Sequence, residues 1–162
     1  MTDNQAEQRL DRRDWKILEI LQRQGRISNV ELAKKVNLTT TPCLERVKRL
    51  EREGYITGYS ANLDSEKLGY GLVVFVQIRL AADKGQNIYD WFSREIKSVT
   101  NVTECYMLAG EFDYLLKVEV GEMKQFQRFM AQTLNNLPGV SITQSQVVME
   151  VVKQETLKII NN

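Results

Sequence analysis

Apolar residues recur at two different intervals along this chain, and the change between them falls near residue 60. Before it, Trp15, Ile17, Leu18 and Leu21 return at helical spacing; after it, Leu72, Val74, Val76, Ile78 and Leu80 alternate. The first interval gathers side chains on one stripe of a helix, the second on one face of a strand. The pattern therefore predicts a helical block over residues 1–60, a linker over 61–70 and a mixed block over 71–162, with Gly58, Gly69 and Gly71 breaking any long element between them.

Capping residues subdivide the first block. Asp11 followed by Asp14, with Leu10 outside as a staple, opens a helix whose buried stripe is Trp15, Ile17, Leu18 and Leu21 and which ends by Gly25. Ser28 with Glu31 is a capping-box spacing, and Leu32, Ala33 and Val36 give that short helix its apolar side. Asn37 tolerates a left-handed turn, Thr39 or Thr40 can cap the next helix, and Pro42 suits its first turn. That helix is expected to end near Glu53 at Gly54, and residues 55–63 read as an extended ribbon or wing.

The second block reads strand, helix, strand, strand, helix, strand. Ile88, Trp91, Phe92, Ile96 and Val99 mark one helix; residues 102–109 and 112–120 are strands around Gly110 and Glu111. Phe126, Phe129, Met130, Leu134 and Leu137 mark the other helix, Pro138 and Gly139 stop it, and residues 140–152 supply the last strand. This βαββαβ order predicts a ferredoxin-like layer, so the fold class is α+β: an N-terminal winged helix-turn-helix joined to a C-terminal ferredoxin-like domain. The sheet face away from the helices is expected to carry Val73, Phe75, Cys105, Met107, Leu115, Val147, Met149 and Val151. That much apolar surface predicts subunit association; the alternative is a larger monomeric core with the helical block folded over the sheet.

Composition narrows the function classes. With 43% hydrophobic and 27% charged residues the chain is ordinary for a globular protein, and it has neither a long apolar run nor a signal-peptide pattern, so a cytoplasmic protein without a membrane partner is expected. Cys43 and Cys105 lack metal-site spacing and are expected to be reduced and packed. Residues 1–60 hold twelve Lys or Arg against nine Asp or Glu, a net +3, while the remainder carries −2, so any basic surface must come from arrangement. There is no histidine and no CxxC, HExxH or GxGxxG pattern, which argues against an enzyme, a metal site or a cofactor. Asp113 between Phe112 and Tyr114 reads more simply as a strand-edge cap or ligand contact than as a catalytic acid.

At 100° per residue, Cys43, Val47 and Leu50 face one way on the third helix, while Thr41, Glu45, Lys48 and Arg52 face the other, flanked by Leu44 and Arg49. A recognition helix in a major groove needs that division. Thr40 and Thr41 lie at the entering end, near bases or phosphates; Lys48, Arg49 and Arg52 suit phosphate neutralisation, and Glu45 a cytosine amine or an arginine. Arg12, Arg13, Lys34 and Lys35 add candidate phosphate contacts. Against this, a charge-rich helix often needs no ligand, and it is the joint spacing of caps, turn and stripe that points to double-stranded DNA.

Leu10, Asp11, Asp14, Ile17 and Leu18, the run from Gly25 to Ala33, the run from Thr41 to Glu51, Gly54-Tyr55-Ile56, the stretch from Gly110 to Leu116 and Leu137-Pro138-Gly139-Val140 together resemble the leucine-responsive and asparagine-responsive (Lrp/AsnC, feast-famine) regulators of bacteria and archaea, over about residues 10–153. The resemblance implies a nucleoid-associated transcription factor that forms homodimers, assembles them into octamers, and binds a small amino acid such as leucine or methionine. It implies an effector pocket bordered by Gly110, Glu111, Phe112 and Asp113 with Gln146, Val147 and Val148, and more loosely by Leu108 and Met123. Chemically, the Asp113 carboxylate could meet an amino group while Leu108, Met123 and Val148 surround an aliphatic chain. The leucine-responsive branch commonly has proline at the position of Thr40 and tyrosine at that of Gln146, so family membership does not carry leucine specificity with it. Two other readings stay open: a nucleoid-architectural DNA-bending protein, and an amino-acid-binding module acting through a non-DNA partner.

Overall fold

A computed structural model of the chain describes residues 10–81, 87–137 and 139–154; Pro138, expected to stop a helix, lies outside them. Two compact units are present. The division between them falls after Asn62, and the second runs Leu63–Val152.

The first unit contains α1 (Arg12–Arg23), α2 (Asn29–Lys35) and α3 (Thr40–Arg52). Asp11 caps α1 in a full capping box: its carboxylate accepts from the Arg13 and Asp14 amides, and the Asp14 carboxylate accepts from the Asp11 amide. The Ser28 hydroxyl accepts from the Glu31 amide at the start of α2. Asn37 holds φ 55° in the turn, and Gly54, at φ 77°, follows α3. Thr39 occupies the cap position of α3, yet its side chain makes no capping hydrogen bond. Pro42 sits third in α3, where an amide hydrogen has no partner within the helix. Ile17, Leu18, Leu32, Ala33, Val36, Cys43, Val47 and Leu50 form the core.

Two expectations for this unit are corrected. Trp15 is 39% exposed, because Asp14 takes the inward place on the stripe that continues through Ile17, Leu18 and Leu21. Residues 55–63, expected as an extended ribbon or wing, contain no strand pairing. The Ile56 amide bonds the Leu50 carbonyl and the Tyr59 hydroxyl donates to Glu51, so the segment folds back on α3 instead of pairing with another strand. Beyond it, the Asp64 carboxylate and carbonyl cap a single helical turn through the Lys67 and Leu68 amides.

The second unit places β1 (Leu72–Leu80), β2 (Val102–Met107), β3 (Tyr114–Val120) and β4 (Val140–Val147) in one antiparallel sheet, ordered β2-β3-β1-β4, with α4 (Asn87–Glu95) and α5 (Met123–Gln132) in the connections. This is the ferredoxin-like layer. Val74, Val76, Ile78 and Leu80 of β1 and Tyr114, Leu116, Val118 and Val120 of β3 pack with Ile88, Phe92, Phe126, Phe129 and Leu134.

The opposite sheet face differs from expectation for one physical reason. Register shifts set the extra residue Thr103 into β2 and Ser141 into β4, and each one-residue slip moves the following side chains to the other face. Cys105 and Met107 therefore pair with Leu116 and Tyr114 on the helix side, and Val147 pairs with Val74 there. Glu104, Tyr106, Ile142, Gln144 and Gln146 take the open face with Val73, Phe75, Gln77, Arg79, Leu115, Lys117 and Glu119. The last strand stops at Val147, leaving Met149 and Val151 exposed beyond it. Cys105, expected to be packed, is exposed on the edge strand. The open face is consequently half polar, with Lys117 held between Glu119 at 2.8 Å and Glu104 at 3.3 Å.

Candidate nucleic-acid interface and effector region

The third helix divides as its spacing requires. Cys43, Val47 and Leu50 are buried, while Thr40, Thr41, Glu45, Lys48 and Arg52 are exposed and Leu44 is half-buried. Among the described residues, Lys48 and Arg52 make no ion pair, which leaves two free cations on the outward strip. Arg12, Arg13, Lys34 and Lys35 are exposed as well, with the Lys35 ammonium donating to Gln24.

Arg49 lies elsewhere. Its Nη2 is 2.6 Å from Asp14 Oδ2, while Arg46 Nη1 reaches Asp14 Oδ1 at 2.8 Å and Asp11 Oδ2 at 2.7 Å. Asp14 is 1% exposed, so a buried carboxylate on α1 holds two guanidiniums of α3. Burial raises the Asp11 carboxyl, but the Asp14 amide, Arg46 and the Arg13 amide more than offset it and hold the group below its ordinary value. The outward polar strip is thus set in rotation by an inward ionic clamp. The sequence reading missed Arg46; its signal was the matched spacing of Asp11 and Asp14 against Arg46 and Arg49, both three apart.

The candidate effector residues separate into two groups. Leu108, Gly110, Glu111, Phe112 and Asp113 lie in the turn from β2 to β3, beside the Leu80 end of β1; the Asp113 amide donates to the Ile78 carbonyl. Gln146 and Val147 face Phe75 and Val74 near the other end of β1, Val148 donates its amide to Val73, and Met123 follows the far end of β3. The turn lies beside Ile78–Leu80 and Gln146 opposite Phe75, so about four residues of β1 separate the two groups along the strands, roughly 13 Å at the usual rise, with β1 itself between them. Asp113 is also engaged: Oδ2 accepts from the Leu80 amide at 2.7 Å and Oδ1 from the Tyr89 hydroxyl at 3.2 Å. It caps the strand edge with one bond to each oxygen, and its remaining lone pairs stay open to a further donor. Across from it, Arg79 bonds both the carbonyl and the carboxylate of Glu111, contacts the sequence pattern did not reveal.

Among the described residues there is no cluster of His, Cys, Asp or Glu able to hold a metal ion, and no helix long and apolar enough to cross a membrane.

A three-helix unit with an outward polar recognition helix and a ferredoxin-like unit define a two-part DNA-binding regulator, and comparison with known proteins agrees. Residues 10–57 match the winged helix-turn-helix DNA-binding family, and residues 73–157 match the Lrp/AsnC ligand binding domain. The leucine-responsive regulatory proteins of Escherichia coli K12 and Salmonella typhimurium are each 47% identical to the chain over 152 residues, covering 93% of it and 92% of the relative. A transcriptional regulator of Neisseria meningitidis, solved in complex with L-methionine, superposes with TM-score 0.86 at 36% identity, covering 91% of this chain and 95% of that one. AsnC of Escherichia coli gives TM-score 0.85 at 25% identity, covering 93% and 99%. The chain belongs to the Lrp/AsnC family of transcriptional regulators. It is a DNA-binding regulator with a ligand-binding domain, not an enzyme.

Proposed function

We propose that the protein is a sequence-preferring transcription regulator of the nucleoid whose assembly on DNA responds to a small amino acid, leucine or methionine. Thr40, Thr41, Leu44 and Glu45 would meet the groove, and Lys48, Arg52, Arg12, Arg13, Lys34 and Lys35 would neutralise phosphates. Arg49 would act through Asp14, keeping the strip turned outward.

The observation that carries the effector part is the separation of the two residue groups. The turn at Gly110 and the Gln146 end stand roughly 13 Å or more apart along the sheet, with β1 between them, a poor fit for one small amino acid touching both within a single chain. A second copy can supply the missing half, which makes the bound amino acid part of an intersubunit contact and links its binding to assembly of dimers into octamers. The half-buried Val73, Phe75 and Leu115, with Ile142 beside them, support one association face, and Lys117 with Glu104 and Glu119 would restrict its register. The methionine complex of the Neisseria relative supports methionine as one ligand, and the leucine-responsive relatives support leucine. An effector shifts such an equilibrium only through unequal affinity for the two assembly states.

Sedimentation and promoter-fragment binding, each measured with L-leucine, L-methionine and a panel of other amino acids, test this reading. A change in both on adding one amino acid is the expected result. No change with any of them would remove the effector switch, and DNA binding with no sequence preference would favour an architectural role.

A further inference from the structure

The turn from Leu108 to Asp113 is held by side-chain contacts from both sides. Arg79 donates from Nε to the Glu111 carbonyl at 2.9 Å and from Nη2 to Glu111 Oε1 at 2.8 Å, and its guanidinium carbon lies 5.3 Å from the Phe112 ring centroid. On the other side the Leu80 amide and Tyr89 hydroxyl occupy Asp113, and the Leu108 amide closes the turn on the Asp113 carbonyl at 2.8 Å. The register shift between Arg79 and Leu80 falls at this point, and the Ser141 hydroxyl donates to the Arg79 carbonyl at 2.9 Å. A bulge beside a strand end re-aims the side chains around it.

We propose that Arg79 is a positioning residue of the effector domain, clamping the 108–113 turn so that its open backbone amides are presented to a ligand. A planar fork with several donors can hold a carbonyl and a carboxylate while covering a ring; a lysine ammonium cannot do all three. Of the turn's amides, those of Ala109, Gly110, Glu111 and Phe112 have no hydrogen-bond partner among the described residues. Donors without acceptors suit the carboxylate end of an amino acid. This inference rests on the effector reading above for its ligand, but the clamp itself stands on the free protein.

Full-length Arg79→Ala and Arg79→Lys proteins test both parts. Amide hydrogen exchange in the absence of ligand should speed up about tenfold in Arg79→Ala at Leu108 and Asp113, the two hydrogen-bonded amides of the turn. Arg79→Lys should restore little of that protection. Calorimetric affinity for L-methionine or L-leucine, whichever the wild type binds, should fall about tenfold, with promoter affinity in the absence of amino acid unchanged. Adding Glu111→Gln to Arg79→Ala should give no further loss, as for two members of one contact. Unchanged exchange overturns the clamp. Faster exchange with unchanged amino-acid affinity overturns its role in ligand presentation. A wild type that binds neither amino acid removes the effector reading, and exchange alone then decides the clamp.

Discussion

Around α3 the first unit closes with charge: Asp14, 1% exposed, takes Arg46 and Arg49 from the recognition helix. Around β1 the second unit closes without it. Val74, Val76 and Ile78 are fully buried among aliphatic and aromatic side chains, and the ion pairs of the sheet, such as Lys117 with Glu119, stand on its open face. A strand is fixed in rotation by its ladder on both sides. A helix has no ladder, and α3 has only the narrow edge of Cys43, Val47 and Leu50 to grip, so a directional polar contact sets the angle at which Lys48 and Arg52 face outward. Charge is buried where orientation matters to function, and apolar packing suffices where hydrogen-bonded register already fixes it.

Asp14→Ala gives the sharpest break of this contrast. It strands the partly buried Arg49, leaves Arg46 with Asp11 alone, and should cost about 3–5 kcal/mol, read by urea unfolding, with loss of promoter binding. A cost below about 1 kcal/mol would mean that the apolar edge alone orients α3. Gly139→Ala probes the other side of the comparison. Gly139 has φ 90°, and an added Cβ would lie 2.5 Å from Ile88, so a loss of about 1–3 kcal/mol is expected in thermal unfolding. Lys48→Ala should leave stability within about 0.5 kcal/mol while weakening promoter binding and reducing its salt slope by about 1. Arg49→Ala, one residue on, should lose stability as well, and equal behaviour of the two would erase the distinction between outward strip and inward clamp.

The smallest effect concerns Tyr59. Burial, then its bond to Glu51, pushes the phenol from the ordinary 10.0 up to about 12. A raised folded value means that its stabilising contribution is whole below pH 10.0 and is lost as pH climbs through about 12. Tyr59→Phe should flatten the fall in stability over that alkaline interval, measured by unfolding at stepped pH.

The alternation in β1 and the caps of α1 and α2 were legible because each signal is local. Helix punctuation at Asn37 and Gly54 was legible for the same reason. The faces of β2 and β4 were not, since Thr103 and Ser141 look like ordinary strand residues and only pairing with a neighbour reveals that they are extra. Trp15 was misjudged because an acid at the inward place, Asp14, breaks the apolar stripe by which a buried face is recognised. For the candidate site, the outward strip of α3 followed from spacing, whereas the engagement of Asp113 and Glu111 depended on Arg79, Leu80 and Tyr89, which approach only in the folded sheet.

The distance between the turn at Gly110 and the Gln146 end of the sheet has a genetic corollary. If each effector pocket draws one half from each of two chains, an allele damaged at Phe112 and another damaged at Gln146 would each be unresponsive alone. Co-expressed in one cell, they would build mixed particles in which a fraction of pockets unite two intact halves, and the response would partly return.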